Sequence, residues 1–512
     1  MRGMDRGKTE FDNLVIGGGY GGLTAALLLA LRGEEVCLIE GHTTTGGSAG
    51  YFDRFERGEG RSFLRYRFDV GATTLSGLHE GGPLRRIFEM CGSRPALRRV
   101  DPGMIVTLRD GTRIDRWSDL QQWIAECRRV FSPAGQADFW NRVYRINQRG
   151  WRLSQANQTF PPKNLRDLLS LARPINLKNL DLLPALSRSV EEEMRRCGVD
   201  HDPRFREFIG EQLMITAQNI PSDTPFLVGA MGLAYPADTW YPEGGMYGVI
   251  EWMEEQLRER GGEIRTKRKA RALRREGKDW IVETTREVYR ARRIISNLTT
   301  WDTAELLGKE GESIHRMNPD PEMGLELWGA FTLYVAVSDV FDDRGSLYHQ
   351  VHSSPLSHIG SRSIFISLSP PDDPGRAPEG WRMITASTHV PDPGEWERLA
   401  TEHPVEYERR KDETGRSLME LVARALPGFQ DAPKKFLLYG TPRSFAFYTG
   451  RRHGRVGGVP HSLGRNLFRM PTYRTRLPDV YLVGDTVYPG QGVPAVVLGA
   501  LNLVEGQFKR QT

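Results

Sequence analysis

Three short, largely apolar blocks occupy the first forty positions: Leu14–Ile16, Leu23–Leu31 and Glu35–Ile39. The first and third predict buried strands and the middle one a packed helix, which together make a βαβ unit. Leu120, Trp123, Ile124 and Cys127 then recur at helical spacing within a tryptophan-bearing region. Between Phe160 and Ser189 leucines recur at helical spacing, interrupted by Pro174 and Pro184. The pattern changes after Gly244. Val249, Met253 and Leu257 line one face of a predicted helix that Gly261 and Gly262 end. Lys278–Thr285 and Glu287–Ile295 predict paired strands, and Leu325–Val337 and Ser363–Leu368 alternate like strands of a different sheet. A loop rich in Pro, Asp and Gly, SPPDDPGRAPEG, separates Leu368 from the strand Met383–Ser387. Tyr481–Val483 is a last short strand, and Ala495–Glu505 an apolar helix behind a glycine-rich turn.

This order implies an α/β protein whose ends belong to one discontinuous domain. At 512 residues the chain exceeds one ordinary core. We expect one domain from residues 1–95, 240–305 and 470–512, and a second, with a mixed sheet and a helical cap, from 96–239 and 306–469.

Composition narrows the function. An apolar fraction of 39% and a charged fraction of 26% suit a globular protein, and a formal charge of +5 is small for this length. The densest basic run, Arg265–Arg275, lacks interleaved aromatics and reads as a solvated hairpin, so no nucleic-acid partner is expected. Cys37, Cys91, Cys127 and Cys197 form no CxxC pair and have no histidine at ligand spacing, so neither a metal site nor a disulfide framework is expected. Reduced thiols and a charged N-terminus that is no signal peptide fit a cytoplasmic protein. No stretch reaches the ~18 apolar residues of a spanning helix. The 160–189 window, with five basic and two acidic residues, suits short helices lying on an anionic bilayer. An amphipathic cap over the second domain explains it equally well, and a membrane contact would be peripheral, at the inner face.

The chemistry starts at VIGGGYGGLTAALLLALRGEEVCLIE. Gly17, Gly19 and Gly22 give G-x-G-x-x-G between a strand and a helix, with Gly18 and Gly21 in the same turn, and Glu40 ends the next strand. The glycines permit a tight turn, close approach to a pyrophosphate and close helix–strand packing. The helix N-terminus offers free N–H groups to phosphate, and Glu40 can accept from ribose hydroxyls. Glu40 suits NAD or FAD and disfavours a 2′-phosphate. The paired Gly46 and Gly47 with Ser48, and the small-residue turn at Gly71, would let the chain return across a long cofactor, which favours FAD. Gly484 and Asp485 end the last strand, where the carboxylate can meet a ribityl chain. Gly490 and Gly492 keep the next turn close to an isoalloxazine ring. Val493 and Pro494 begin a helix whose positive end would face the flavin, with Pro494 at the first helical position.

These residues carry a resemblance. Gly17–Glu40, GGSAGYF…YRFDVGATTLSG, YPEGGMYGVIEWMEEQL, FISLSPPDDPGRAPEG, TPRSFAFYTGRRHGRVGGVP and VGDTVYPGQGVPAVV resemble the bacterial phytoene desaturase superfamily of FAD-dependent, amine-oxidase-like flavoproteins. They are most similar to its carotenoid isomerase and carotenoid 3,4-desaturase branches. The blocks cover nearly the whole chain, with Leu97–Pro236 the poorly matched part.

The resemblance implies a Rossmann-like FAD domain and a hydrophobic polyene substrate, desaturated by hydride transfer to flavin N5. It leaves open cis–trans isomerisation with reduced FAD, or amine oxidase-like or saturase activity on another lipid. It implies a valine beside the adenine, where this chain has Ala270, and a serine where it has Gly499. Glu243 is implied near the flavin. Phe55–Leu64 is extra and reads as a surface loop. His349, His352, His389, His453 and His461 are candidates for a base that read more simply as surface or loop histidines, and no catalytic residue is assigned.

Overall fold

In a computed structural model the chain is described over residues 8–171, 179–315, 327–341, 345–465 and 467–508. The expectations for 172–178 and for 325–326 lie outside the described residues.

Strand β1 (Glu10–Ile16) feeds the helix Tyr20–Ala30 and then β2 (Val36–Ile39). A ribbon follows, β3 (Tyr51–Arg57) and β4 (Phe63–Asp69). Strands β5 (Leu97–Arg99), β6 (Ile105–Thr107) and β7 (Arg113–Asp115) precede a run of helices that ends at β8 (Trp240–Pro242). Beyond the helix Met246–Glu259 come β9 (Glu263–Arg265), β10 (Ala270–Glu276), β11 (Asp279–Thr284) and β12 (Val288–Ser296). Then follow β13 (Gly329–Ser338), β14 (Tyr348–His352), β15 (Ser363–Leu368), β16 (Trp381–Val390) and β17 (Lys434–Gly440). β18 (Val480–Leu482) leads to the last helix, Val493–Gln507.

The first sheet runs β10-β11-β12-β1-β2-β9, with β18 added on β12. β1, β2, β9, β12 and β18 are parallel to one another. β12 changes partner along its length: its first half pairs antiparallel with β11, its second half parallel with β18. Alternation along β1 and β2 puts Val15, Val36 and Leu38 under the helices Tyr20–Ala30, Met246–Glu259 and Val493–Gln507. Leu14, Ile16, Cys37 and Ile39 face the opposite core, with Ala304 and Leu307. Burial on both faces accounts for the unbroken apolar runs of these strands.

The second sheet runs β17-β13-β16-β15-β14-β6-β7. Helices between residues 120 and 233 form a separate core around Trp123, Trp140, Phe205 and Phe208. The architecture is thus mixed α/β, with two large sheets and a helical layer.

One expectation holds only in part. Half of Phe55–Leu64 is strand, since β3 and β4 stay paired from Tyr51↔Asp69 out to Arg57↔Phe63, and only residues 58–62 form the loop. The added residues lengthen a hairpin whose cross-strand bonds continue outward, and its base is anchored by stacked Phe52 and Phe68, ring centres 5.0 Å apart.

Candidate functional site

β1, β12 and β18 end side by side, and the crevice beyond their carboxyl ends is where an open parallel sheet binds ligands. Gly17 turns the chain out of β1, its N–H bonded to Ile39 O at 2.9 Å. A Cβ on Gly22 would lie 2.1 Å from Gly17 O, so only glycine lets the helix sit this close to the strand end. A Cβ on Gly21 would lie 3.1 Å from Gly484 N, so the two ends of the chain touch at this point. The return loop is tied down by Gly46 N–H donating to Gly18 O at 2.8 Å. The Thr45 hydroxyl donates to Glu254 and fastens the same loop to the helix Met246–Glu259.

Around this point runs one cavity of about 860 Å³. Gly17, Gly18, Gly19, Gly21 and Glu40 line it from the N-terminal side, and Gly46, Gly47, Ser48 and Gly71 from the return loop and the turn after β4. Ala270 joins them from the start of β10, and Gly484, Asp485, Gly492 and Val493 line it from the C-terminal side. Gly22 and Pro494 lie outside the lining. Gly22 packs on Gly17, and Pro494 lies against Gly77 and is the second residue of its helix rather than the first.

The Glu40 carboxylate accepts from Gly18 N and from His42 N, both at 2.7 Å, which holds it at the cavity wall. The helices Tyr20–Ala30 and Val493–Gln507 both begin at cavity-lining glycines, Gly19 and Gly492. Neither has a side-chain cap or an acidic residue in its first turn. Two positive helix ends with free N–H groups therefore face one cavity.

Three functional features escape the sequence reading. Asn297, just past β12, lines the cavity and donates to Gly17 O at 3.4 Å. A polar residue directly after the buried end of a strand, Ile294–Ser296, was the available signal. Arg451 also lines the cavity, pairs with Asp485 at 2.5 Å and donates to Arg455 O and Gly457 O. Buried Asp69 pairs with Arg376 and accepts from Met246 N at 3.0 Å, joining β4 to the start of the helix Met246–Glu259.

Other expectations change. Glu243 does not line the cavity; it is exposed and pairs with half-buried Arg98 at 3.1 Å. A Cβ on Gly490 would meet His461 at 2.7 Å, so that glycine makes room for an imidazole. Gly499 sits mid-helix against Tyr488 O. His349 and His352 are buried strand residues of β14, His461 is buried, and His389 lies half-buried on β16. Burial pushes each of these four imidazoles down to about 4. The three strand histidines owe their packing to long-range sheet contacts that a loop-like local sequence conceals, whereas His461 packs on the C-terminal turn, its Nε2 2.9 Å from Pro489 O. Half-exposed His453 pairs with Glu397 at 2.6 Å.

Residues 12–319 match the profile of the family described as FAD dependent oxidoreductase. The chain belongs to that family. It is 25% identical to the chloroplastic prolycopene isomerase of Daucus carota, over 98% of this chain and 80% of that protein. It is equally 25% identical to the 4,4'-diapolycopene oxygenase of Methylomonas sp, over 95% of each. A solved oxidoreductase from Methanosarcina mazei shares the fold, with a TM-score of 0.59, 19% identity, and coverage of 96% of this chain and 100% of that one. This protein is therefore a flavin-dependent oxidoreductase with carotenoid-modifying relatives. The site fits such a cofactor: a carboxylate at one end, two uncapped helix ends, and a wall too close for side chains at Gly18, where a Cβ would lie 2.9 Å from Thr45.

No helix among the described residues is long and apolar enough to cross a membrane.

Proposed function

We propose that the protein binds FAD in this cavity and desaturates a carotenoid or related linear polyene. The observation that carries the reading is the single cavity that joins Glu40 at one end to Gly492 at the other, between two uncapped helix N-termini. An elongated dinucleotide needs both ends of such a site. Glu40 would accept from the adenosine ribose, and the N–H groups after Gly19 would hold the pyrophosphate. The helix starting at Val493 would place its positive end beside the ring system, favouring negative charge there. When bound, FAD supplies the hydride acceptor. The chain itself orients the polyene and excludes water, and no acid–base pair of its own is assigned a step.

Isomerisation is the second reading, favoured by four prolycopene isomerases that align with 97–98% of the chain. An amine oxidase-like or saturase activity on another lipid has support only from fold, as in the likeness to putrescine oxidase at 14% identity. Incubating the flavin-loaded protein with a poly-cis carotene and reduced FAD, without an electron acceptor, separates the first two. A desaturase leaves the carotene unchanged there and yields a product lighter by two hydrogens once an acceptor is added. A product of unchanged mass and altered absorbance establishes isomerisation, and purified protein without flavin absorbance overturns both.

A polyene substrate would reside in bilayers, and we assign its entry to the described residues of the 160–189 region, 160–171 and 179–189. There Leu165, Leu168, Leu169, Leu180 and Leu183 are each at least half exposed. Such leucines, with Arg166 exposed among them, fit a peripheral contact with an anionic bilayer.

A further inference from the structure

The second sheet has two unlike faces. Leu333, Val335 and Val337 of β13, with Ile384 of β16 and Ile364 and Ile366 of β15, are buried in one apolar core under the helix Pro404–Ala425. Strand alternation therefore turns the intervening residues to the other face. There β13 presents Ala330, Thr332 and Tyr334, paired in register with His389, Ser387 and Thr385 of β16. Near the cavity this face is polar, although the proposed substrate is a polyene; farther along, Tyr334, Ala336 and Met383 pack in an apolar cluster with Tyr66 and Phe68.

Part of it is already engaged. The Tyr334 hydroxyl donates to Val70 O, Ser367 of β15 donates to Thr73 at 2.5 Å, and Tyr348 of β14 donates to Thr73 O at 3.0 Å. What remains is a patch at the cavity. Ala330, Thr332 and Ser387 line it, and His389 lies directly across from Ala330. Thr332 is already engaged, by Gly440 O at 3.5 Å and by the Tyr334 hydroxyl, whereas neither Ser387 nor the His389 ring has a hydrogen-bond partner among the described residues. The His389 ring stands edge-on to Trp328, centres 6.0 Å apart. Burial keeps that ring neutral near pH 7, able to donate from one nitrogen and accept at the other.

The patch adjoins the C-terminal turn. Val456 N–H donates to Trp328 O at 2.8 Å, and Gly458 N–H to Gln491 Oε1 at 3.2 Å, which links the sheet to Gln491 and Gly492 through Val456 and Gly457. That is the end of the cavity opposite Glu40.

We infer that Thr332, Ser387 and His389 form a polar subsite that receives an oxygen-bearing end of the substrate, a hydroxyl or a carbonyl. The inference rests on the polyene reading above and deepens it: the preferred substrate is an oxygenated chain rather than a plain hydrocarbon. A hydrocarbon laid on this wall would strand the Ser387 hydroxyl and a neutral imidazole away from water, whereas an oxygen satisfies them. Sites built to bond a substrate oxygen reject analogues that lack it far more strongly than apolar pockets reject an added group.

The test uses the flavin-loaded protein and three linear polyenes of equal length: the hydrocarbon, its terminal alcohol and its terminal aldehyde. Binding is read by quenching of tryptophan fluorescence. At least one oxygenated form is expected to bind at least about tenfold more tightly than the hydrocarbon. Ser387→Ala and His389→Phe are expected to shrink that preference to within about threefold without weakening hydrocarbon binding, while His389→Gln retains part of it. The flavin absorbance spectrum and Tm report whether each variant is folded and loaded. Equal binding of all three by the unsubstituted protein overturns the inference alone, as do variants that lose flavin but keep the preference. A protein that binds none of the three overturns the polyene reading and this inference with it.

Discussion

Glu40 is tied to the backbone before any ligand arrives, since Gly18 and His42 each donate to one of its oxygens at 2.7 Å. A carboxylate fixed in this way has lost its rotamer freedom in advance, so a ribose hydroxyl bonding to it bears little further ordering cost. Glu40→Gln keeps the shape but replaces one acceptor oxygen with an amide that faces an N–H donor. FAD affinity is expected to fall at least about tenfold, or ~1.4 kcal/mol. Titration of apoprotein with FAD, followed by flavin fluorescence, checks it; an unchanged Kd removes Glu40 from the ribose role. Asn297 and Arg451 work at the same scale: each bonds backbone carbonyls at the cavity edge, where an irregular chain has no strand partner to satisfy them.

Among elements, the two helices that begin at Gly19 and Gly492 were plain in the sequence, because a buried helix after a glycine turn carries no polar face. The histidines on β14 were not. His349 and His352 sit in an otherwise short polar run, and their burial depends on β6, β15 and the helical layer arriving from distant parts of the chain. The short helices Leu165–Ser170 and Leu183–Ser187 raise a different point, for their leucines face outward and leave an apolar surface uncovered. Leu168→Asp with Leu169→Asp is expected to reduce cosedimentation with vesicles containing anionic phospholipid several-fold, with Tm unchanged. Equal cosedimentation of both proteins would sink the bilayer contact and leave a cap over the helical layer.

At the scale of the molecule, several imidazoles are buried neutral. His349, His352 and His461 have folded pKa values lowered to about 4, below the unfolded value near 6.5. The unfolded chain therefore binds more protons than the folded one between those limits, and stability present above pH 6.5 is lost as pH falls towards 4. Each such group removes on the order of 2 kcal/mol between pH 7 and pH 5. Tm is expected to drop over that interval, and His352→Gln to reduce the drop. A Tm independent of pH across this range would show that these rings are protonated in the folded state.

The sequence by itself determined the parts whose causes are local. Glycines at fixed spacing between a strand and a helix, an acid at the end of the next strand, and a terminal glycine turn before an apolar helix each follow from steric demands within a few residues. Tertiary structure alone decided which distant groups meet. It brought Gly21 against Gly484, set Arg451 on Asp485, and placed Thr332 and Ser387 in the cavity wall with His389 next to them on the same sheet face. Those meetings depend on the order and register of strands far apart in the chain. A shift of one residue in β16 would have turned Ser387 and His389 into the apolar core instead.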